Sequence, residues 1–418
     1  MLDPFRSDFN ASFSPAAYRR LLGDLERRIG QAIDFRVCET PCFFPKALLD
    51  EMAAAGRDMT LTLTGSAEYK VASEGTIPDR YRVPNESSQP NFMTVDFGFV
   101  RNADGTVGYK LVELQAFPSI YGYQDLLSRQ YLETYGLSRE LRWHLGGHDR
   151  QSYWKLLRRV IVGGHDPKTV VLLEVTPERQ KTRADFRVYE QEFGISVVDI
   201  AEVHQQGSKL HYIADGHTIP ITRIFNRAIV DEIEREGVTP GFDHREDLQV
   251  EWAGHPNWYF RASKFSLPYL THPSVPKAVF LNDWFTPGGR DRLGLDLDRL
   301  ILKPLYSFAG KGIQFAPTHK NLSAIPWQDR HLYLLQERVH FEPLIRTPHG
   351  PTQAEVRIMY LWPDGEDLQP VISLVRLGRG LMMGVDHNRD QEWVGGSAAF
   401  FPEASSLEAE ISGISGRN

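Results

Sequence analysis

The chain has only two cysteines, Cys38 and Cys42, both within "CETPC". Two thiols cannot build a disulfide framework, and alone they make a poor metal site. They read as reduced, partly buried thiols of a cytoplasmic protein. No apolar run approaches the roughly 18 residues that a membrane span needs, and the opening "MLDPFRSDFN" lacks the apolar core of a signal peptide. Basic residues are not in excess: 47 Lys and Arg stand against 54 Asp and Glu, a net charge of -7. Neither nucleic acid nor an anionic membrane is therefore an expected partner. No internal repeat is visible. No GxGxxG follows the first strand of the one βαβ-like segment, so a dinucleotide site there is not expected.

What is present is an ordinary globular composition, 41% apolar and 24% charged, over 418 residues. That length accommodates two or three domains. Residues 1–60 read as helical; "SPAAYRRLLGDLERRIGQAI" has apolar positions near 3.6 spacing and a Ser14-Pro15 start. From about 60 to 135 the pattern turns strand-like. "MTLTLTG" alternates, and "NFMTVDFGFV" and "YKLVELQAF" flank a turn containing Asp104-Gly105, which predicts a hairpin. "KTVVLLEV", "PERQKTRADFRVYEQEFG" and "ISVVDI" predict a strand, a helix and a second strand in a βαβ unit. Residues 251–285 read as broken helix. Strands dominate from 299: "LILKPL", "GIQFA", "LYLLQERV", "AEVRIMYLW" and "QPVISLVRLG". The reading is an α+β protein with mostly antiparallel sheets and one βαβ unit. The expected division is 1–150, 151–250 and 251–402, with a loose tail at 403–418.

Four stretches carry candidate chemistry. In "LILKPLYSFAGKGIQF" the Gly310-Lys311-Gly312 run suggests phosphate. A P-loop would need Ser or Thr after the lysine and then a helix, and neither is present. The open alternatives are a lid, with Lys303 on the strand and the Ser307–Gly312 loop folding over phosphates, or a solvated edge lysine. In "LYLLQERV" the strand turns polar at Gln336-Glu337, where it offers backbone groups to an adenine edge and a carboxylate to a ribose, or simply meets solvent. In the hairpin, Asp96 and Glu113 fall nearly opposite each other. Facing carboxylates repel unless a cation lies between them, and Mg2+ suits that place; a solvated acidic face is the alternative. Lastly, Arg357 in "AEVRIMYL" is a candidate for stabilising a transferring phosphoryl group. Asn226 and Arg227 are candidates for holding a substrate carboxylate, with helix capping the competing role for Asn226. Asp386, His387 and Asn388 either line an acceptor site or close a polar loop.

Taken together, "VDFGFVRNADGTVGYKLVELQAFPS", "RASKFSLPYL", "LKPLYSFAGKGI" and "LLQERV" resemble the glutathionylspermidine synthase-like, circularly permuted branch of the ATP-grasp superfamily. That family shows an acidic D…DG…K-L-L-E-x-N hairpin, then S-N-K-x-x-L-P, a K-P-[IL] strand with a glycine loop, and a strand ending Q-E. The order agrees over residues 90–400. The resemblance implies Mg2+ ligation by Asp96, Glu113 and Gln115, with Gln115 standing where asparagine is usual. It implies ATP phosphate contacts from Lys264, Lys303, Ser307, Gly310, Lys311 and Gly312, and adenine and ribose contacts around Gln336, Glu337 and Val339. The activity it implies is an ATP- and Mg2+-dependent ligase joining a small-molecule or peptide carboxylate to an amine through an acyl phosphate. A degenerate ATP-binding module and a small-molecule kinase are the alternatives. The amidase domain of some members has no counterpart here, since no Cys/His nucleophile pair is present.

Overall fold

The computed structural model describes residues 2–306, 312–381, 383 and 390–403. The hairpin forms as alternation and turn chemistry require. Phe92–Arg101 and Val107–Gln115 pair antiparallel, with Gly105 at φ 82° and Asp104 accepting the Thr106 N–H at 2.9 Å. Asp96 pairs with Glu113, and the register then skips Val112, a bulge that leaves this residue without a cross-strand partner.

The hairpin is part of a larger sheet. Its first strand pairs antiparallel with Gln353–Leu361, which continues through Gln369–Gly378 to Gly395–Pro402. Residues from the expected first and third segments thus share one seven-stranded sheet. On one face Val95, Phe97, Val356, Ile358 and Val375 are buried in one core, and on the other Phe92, Met359, Leu361 and Leu374 are buried in a second.

A second sheet is parallel, in the order Glu251–Ala253, Arg223–Asn226, Val170–Glu174, Ser196–Asp199. The expected βαβ unit lies in it: Val170–Glu174, the helix Arg183–Phe193 ended by Gly194 in the left-handed conformation, and Ser196–Asp199. A third sheet, antiparallel, runs Ala278–Phe280, Tyr333–Glu337, Leu300–Pro304, Gln314–Phe315. The architecture is mixed, with antiparallel pairing in the majority of its sheets.

Two expectations fail locally. "MTLTLTG" is the last part of the helix Lys46–Gly65, not a strand. Leu49, Met52, Gly56, Met59 and Leu63 are buried at helical spacing, and Thr60 and Thr64 return their hydroxyls to the carbonyls of Gly56 and Thr60. The segment 251–285 contains two short strands besides its helical turns, because Ala278–Phe280 is drawn into the third sheet. Cys38 and Cys42 are fully buried, beyond the expected partial burial, and burial pushes both thiols up, Cys42 to about 12. No described helix is long and apolar enough to cross a membrane.

Candidate functional site

The inner face of the large sheet carries a compact set of charges. Arg357 sits directly across from Asp96 and grips it with two bonds, Nε to Oδ1 at 2.6 Å and Nη2 to Oδ2 at 2.7 Å. Arg376, on the next strand, bridges Asp96 Oδ2 and Glu355 Oε1. Asp96 and Glu355 are buried. Burial alone would raise the Asp96 carboxyl, but Arg357 and then Arg376 outweigh it and hold it below the ordinary range. Glu355 is raised, by burial first and then by Asp96, against the pull of Arg376. Gly98 faces Glu355 across the ladder, and a Cβ there would collide with the ring of Phe341.

The third sheet turns its own polar residues toward this face. Ile301 and Lys303 alternate on one strand, and Gln336 pairs with Ile301 on the neighbour. Lys303 is 5% exposed, and its Nζ lies 3.4 Å from the carbonyl of Val112, the residue skipped by the bulge. Burial draws the Lys303 ammonium down to about 8; Glu113 opposes this and Lys264 adds to it. Lys264 itself pairs with Glu113 Oε1 at 3.1 Å. Gln336 is completely buried, and neither its Oε1 nor its Nε2 has a hydrogen-bond partner among the described residues. Between the sheets lies a cleft of about 150 Å³, lined on one side by Asp96, Glu113 and Glu355 and on the other by Lys303, Gln336 and Val339. Just before the lining residue Ile313, Gly312 has φ 74°, and a Cβ there would stand 2.7 Å from Pro304 Cγ, so both conformation and space demand glycine.

The structure therefore gathers Asp96, Glu113, Lys264, Lys303, Gln336 and Val339 around one cleft, with Arg357 behind Asp96. Gln115 is buried and lines a small adjoining space with Glu113 and Lys264. The cation expected between the hairpin carboxylates is supplied by protein side chains: Arg357 and Arg376 at Asp96, and Lys264 at Glu113. No group of three or more described His, Cys, Asp or Glu side chains is arranged to hold a metal ion. Arg357 is tied to Asp96 and does not face the cleft as a lone cation. Arg376, Arg338 and Phe341 also line the cleft and were not singled out in the sequence; an arginine inside the aliphatic run "VISLVRLG" was the available signal for the first.

Other candidates lie elsewhere. Glu337 turns to the sheet edge, where its Oε2 accepts the Lys277 N–H at 3.3 Å. Arg227 is buried; it donates to Pro118 O and to Thr182 Oγ1, its guanidinium lies over the rings of Phe117 and Phe186, and Glu174 Oε2 is 3.6 Å from its Nε. That surrounding leaves Arg227 no opening for bidentate capture of a substrate. Asn226 ends a parallel strand and caps no helix, since the next one, Val230–Glu236, has Ile229 at its N-cap. Ser307, Gly310, Lys311, Asp386, His387 and Asn388 lie outside the described residues.

The unpartnered amide of Gln336 and the weakly compensated Lys303 fit a nucleotide, which would bring hydrogen-bonding edges to one and phosphate to the other. For a divalent cation the fit is narrower. Glu113 and Gln115 have the oxygen ligands, whereas Asp96 is already neutralised by two guanidinium groups.

No family model and no curated protein matches the sequence. Among solved structures, the chain is similar to a glutathione synthetase-like effector from Globodera pallida in its apo form. The identity is 12%, the TM-score is 0.57, and the match covers 93% of this chain and 98% of that one. At that identity the likeness speaks for architecture alone, and the architecture is that of a glutathione synthetase-like fold.

Proposed function

We propose that the protein is an ATP-dependent carboxylate–amine ligase of ATP-grasp type, with the acidic hairpin preceding the nucleotide-binding strands in the permuted order. The observation that carries this reading is Gln336. A buried amide with two unmet polar atoms costs about 1–3 kcal/mol, and it opens on a cleft whose far wall holds buried charge. A purine edge supplies the missing donor and acceptor. The nearby Lys303, held at about 8 by burial, gains its full charge once phosphate arrives.

In this reading the γ-phosphoryl group of ATP passes to a substrate carboxylate, giving an acyl phosphate and ADP. An amine nitrogen then attacks the acyl carbon; the C–N bond forms, the C–O bond to phosphate breaks, and the amine sheds one proton. Lys264 and Lys303 neutralise the phosphates, and releasing Lys264 from Glu113 frees that carboxylate. Mg2+, when bound with the nucleotide, supplies further charge neutralisation, with Glu113 and Gln115 its ligands. Arg357 and Arg376 hold Asp96 and Glu355 in place beneath the phosphates.

A specific observation favours a second reading, a nucleotide-binding protein without turnover: Asp96 is saturated by its two arginines. ADP release measured with candidate carboxylates, with and without amine, separates these readings. Release that requires both partners supports the ligase. Release without amine dependence indicates a kinase, and tight nucleotide binding with no release on any substrate indicates the binding protein.

A further inference from the structure

The nucleotide cleft is not the largest cavity. A space of about 800 Å³ opens where residues 76–81, the helix Val230–Glu236 and the turn Lys264–Tyr269 meet. That volume is in the range of small-molecule sites. Tyr259, Leu305 and Tyr306 line it, and the same three residues line the small space that holds Glu113, Gln115 and Lys264. A ligand in the large cavity thus adjoins, at Tyr259, Leu305 and Tyr306, the space that holds Glu113 and Lys264 at the phosphate end of the nucleotide cleft.

Its chemistry is one-sided. Phe265, Tyr269 and Phe280 form a packed aromatic cluster on one wall, with ring centroids 5.1–6.0 Å apart, and Phe260 and Tyr306 meet edge to face at 5.7 Å on another. The charged lining is Asp231, Glu234 and Asp283 against Arg80, with His331 the remaining titratable base. Arg80 is itself committed to Glu234 and mostly exposed. Asp231 pairs with Arg235, which stands outside the cavity, at 3.1 Å. Asp283 has no cationic partner among the described residues; its Oδ1 accepts from Asn282 Nδ2 at 3.0 Å. The Asn282 Oδ1 is buried with no donor facing it among the described residues. Among the described residues, the wall therefore presents aromatic faces, an uncompensated carboxylate and an orphaned acceptor oxygen, and it has no cation free to receive an anion.

We infer that this cavity takes the amine acceptor, and that the acceptor is an arylalkyl amine without a carboxylate of its own. The inference rests on the ligase reading. Aromatic faces beside a carboxylate recognise an organic ammonium, the rings accommodate an apolar body of matching size, and a ligand N–H satisfies Asn282 Oδ1. An amino acid, whose carboxylate would face Asp231 and Asp283 with no free cation among the described residues to receive it, is disfavoured.

The test is a binding measurement that needs no ATP turnover. Phenethylamine, 3-phenylpropionate and glycine are titrated calorimetrically into the full-length protein. Phenethylamine is expected to bind, with the two carboxylate ligands weaker by about tenfold or more. Asp283→Asn is expected to lower phenethylamine affinity about tenfold, and Asp283→Lys to reverse the preference toward phenylpropionate. Circular dichroism of both variants checks that they fold. Equal binding of the amine and the acid, or wild-type amine affinity in folded Asp283→Asn, overturns the inference. Amine binding with no amine-dependent ADP release on any carboxylate would leave the cavity assignment standing and remove the ligase reading. Glycine-dependent turnover with no phenethylamine binding would do the reverse.

Discussion

Replacing Lys303 by methionine tests the core of the site, because it separates the cost of burying a charge from its use. The Lys303 ammonium is buried and drawn from its ordinary 10.5 down to about 8. One pKa unit corresponds to about 1.4 kcal/mol, so at pH 7 the free protein carries a penalty on the order of 3 kcal/mol for keeping this group charged. Methionine preserves the alkyl volume and removes the charge; the 3.4 Å contact to the Val112 carbonyl that it forfeits is weak. At roughly 2.1 cal/mol/K per residue, 418 residues have an unfolding entropy near 0.9 kcal/mol/K, and the gain amounts to roughly 3 °C in melting temperature. The sign of the pH dependence is fixed. Between about 8 and 10.5 the unfolded chain holds the Lys303 proton and the folded chain does not, so wild-type stability rises with pH in that window. The advantage of Lys303→Met is therefore full at pH 7 and shrinks as pH rises through that interval. Differential scanning calorimetry at pH 7 and 10, with and without Mg2+ and ATP, reads both effects. The variant is expected to be more stable without ligand and to lose most of the nucleotide-induced rise. A variant that melts below wild type at pH 7, or responds to ATP as wild type does, would refute the reasoning.

Three further outcomes are expected. Gln336→Leu removes two unmet polar atoms and should leave the unliganded protein as stable as wild type or up to about 3 kcal/mol more so, while calorimetry shows ATP affinity reduced by about tenfold or more. Arg357→Gln leaves Asp96 buried with Arg376 alone; removing one partner of such a buried pair costs roughly 3–5 kcal/mol, and thermal melts should fall by several degrees, a drop that Arg357→Gln combined with Asp96→Asn partly restores. Glu174, pushed up to about 8 by burial against the attraction of Arg227, holds a proton between its unfolded value near 4.5 and about 8. It therefore contributes stability that fades as pH rises through that range, and Glu174→Gln should flatten the fall in chemical-denaturation midpoints from pH 5 to 8.

Local signals in the sequence carried the hairpin and the βαβ unit. Alternation around Asp104-Gly105 placed Asp96 against Glu113, and the register agrees. Lys303 stood out as a lysine inside "LILKPL", and its burial, not the sequence, decides against a solvated edge position. The partner of Asp96 was not, because Arg357 and Arg376 come to it from strands more than 250 residues away, and no local pattern reports which distant strand will lie alongside. "MTLTLTG" misled for a physical reason: Leu and Thr in alternation satisfy a period of two over seven residues, and only the longer spacing from Leu49 reveals the helix. Arg227 looked free after its strand, yet the glutamate ending "KTVVLLE" is its neighbour in the next strand over. The isolation of Gln336 is a property of packing and has no sequence signature.

Because Phe92–Arg101 pairs with Gln353–Leu361, the large sheet cannot close until nearly the whole chain has been made. At about 5–20 residues per second, the first strand leaves the ribosome roughly ten to fifty seconds before its neighbour. Through that interval it is paired only with Val107–Gln115; its other edge stands open to any passing strand, and Val95, Phe97 and Phe99 lie together on one face. Such long-range closure makes folding slow and makes the stretch from Gln353 onward the keystone of the molecule. A chain stopped before that point has a complete hairpin with nowhere to put it, and aggregation is its expected fate.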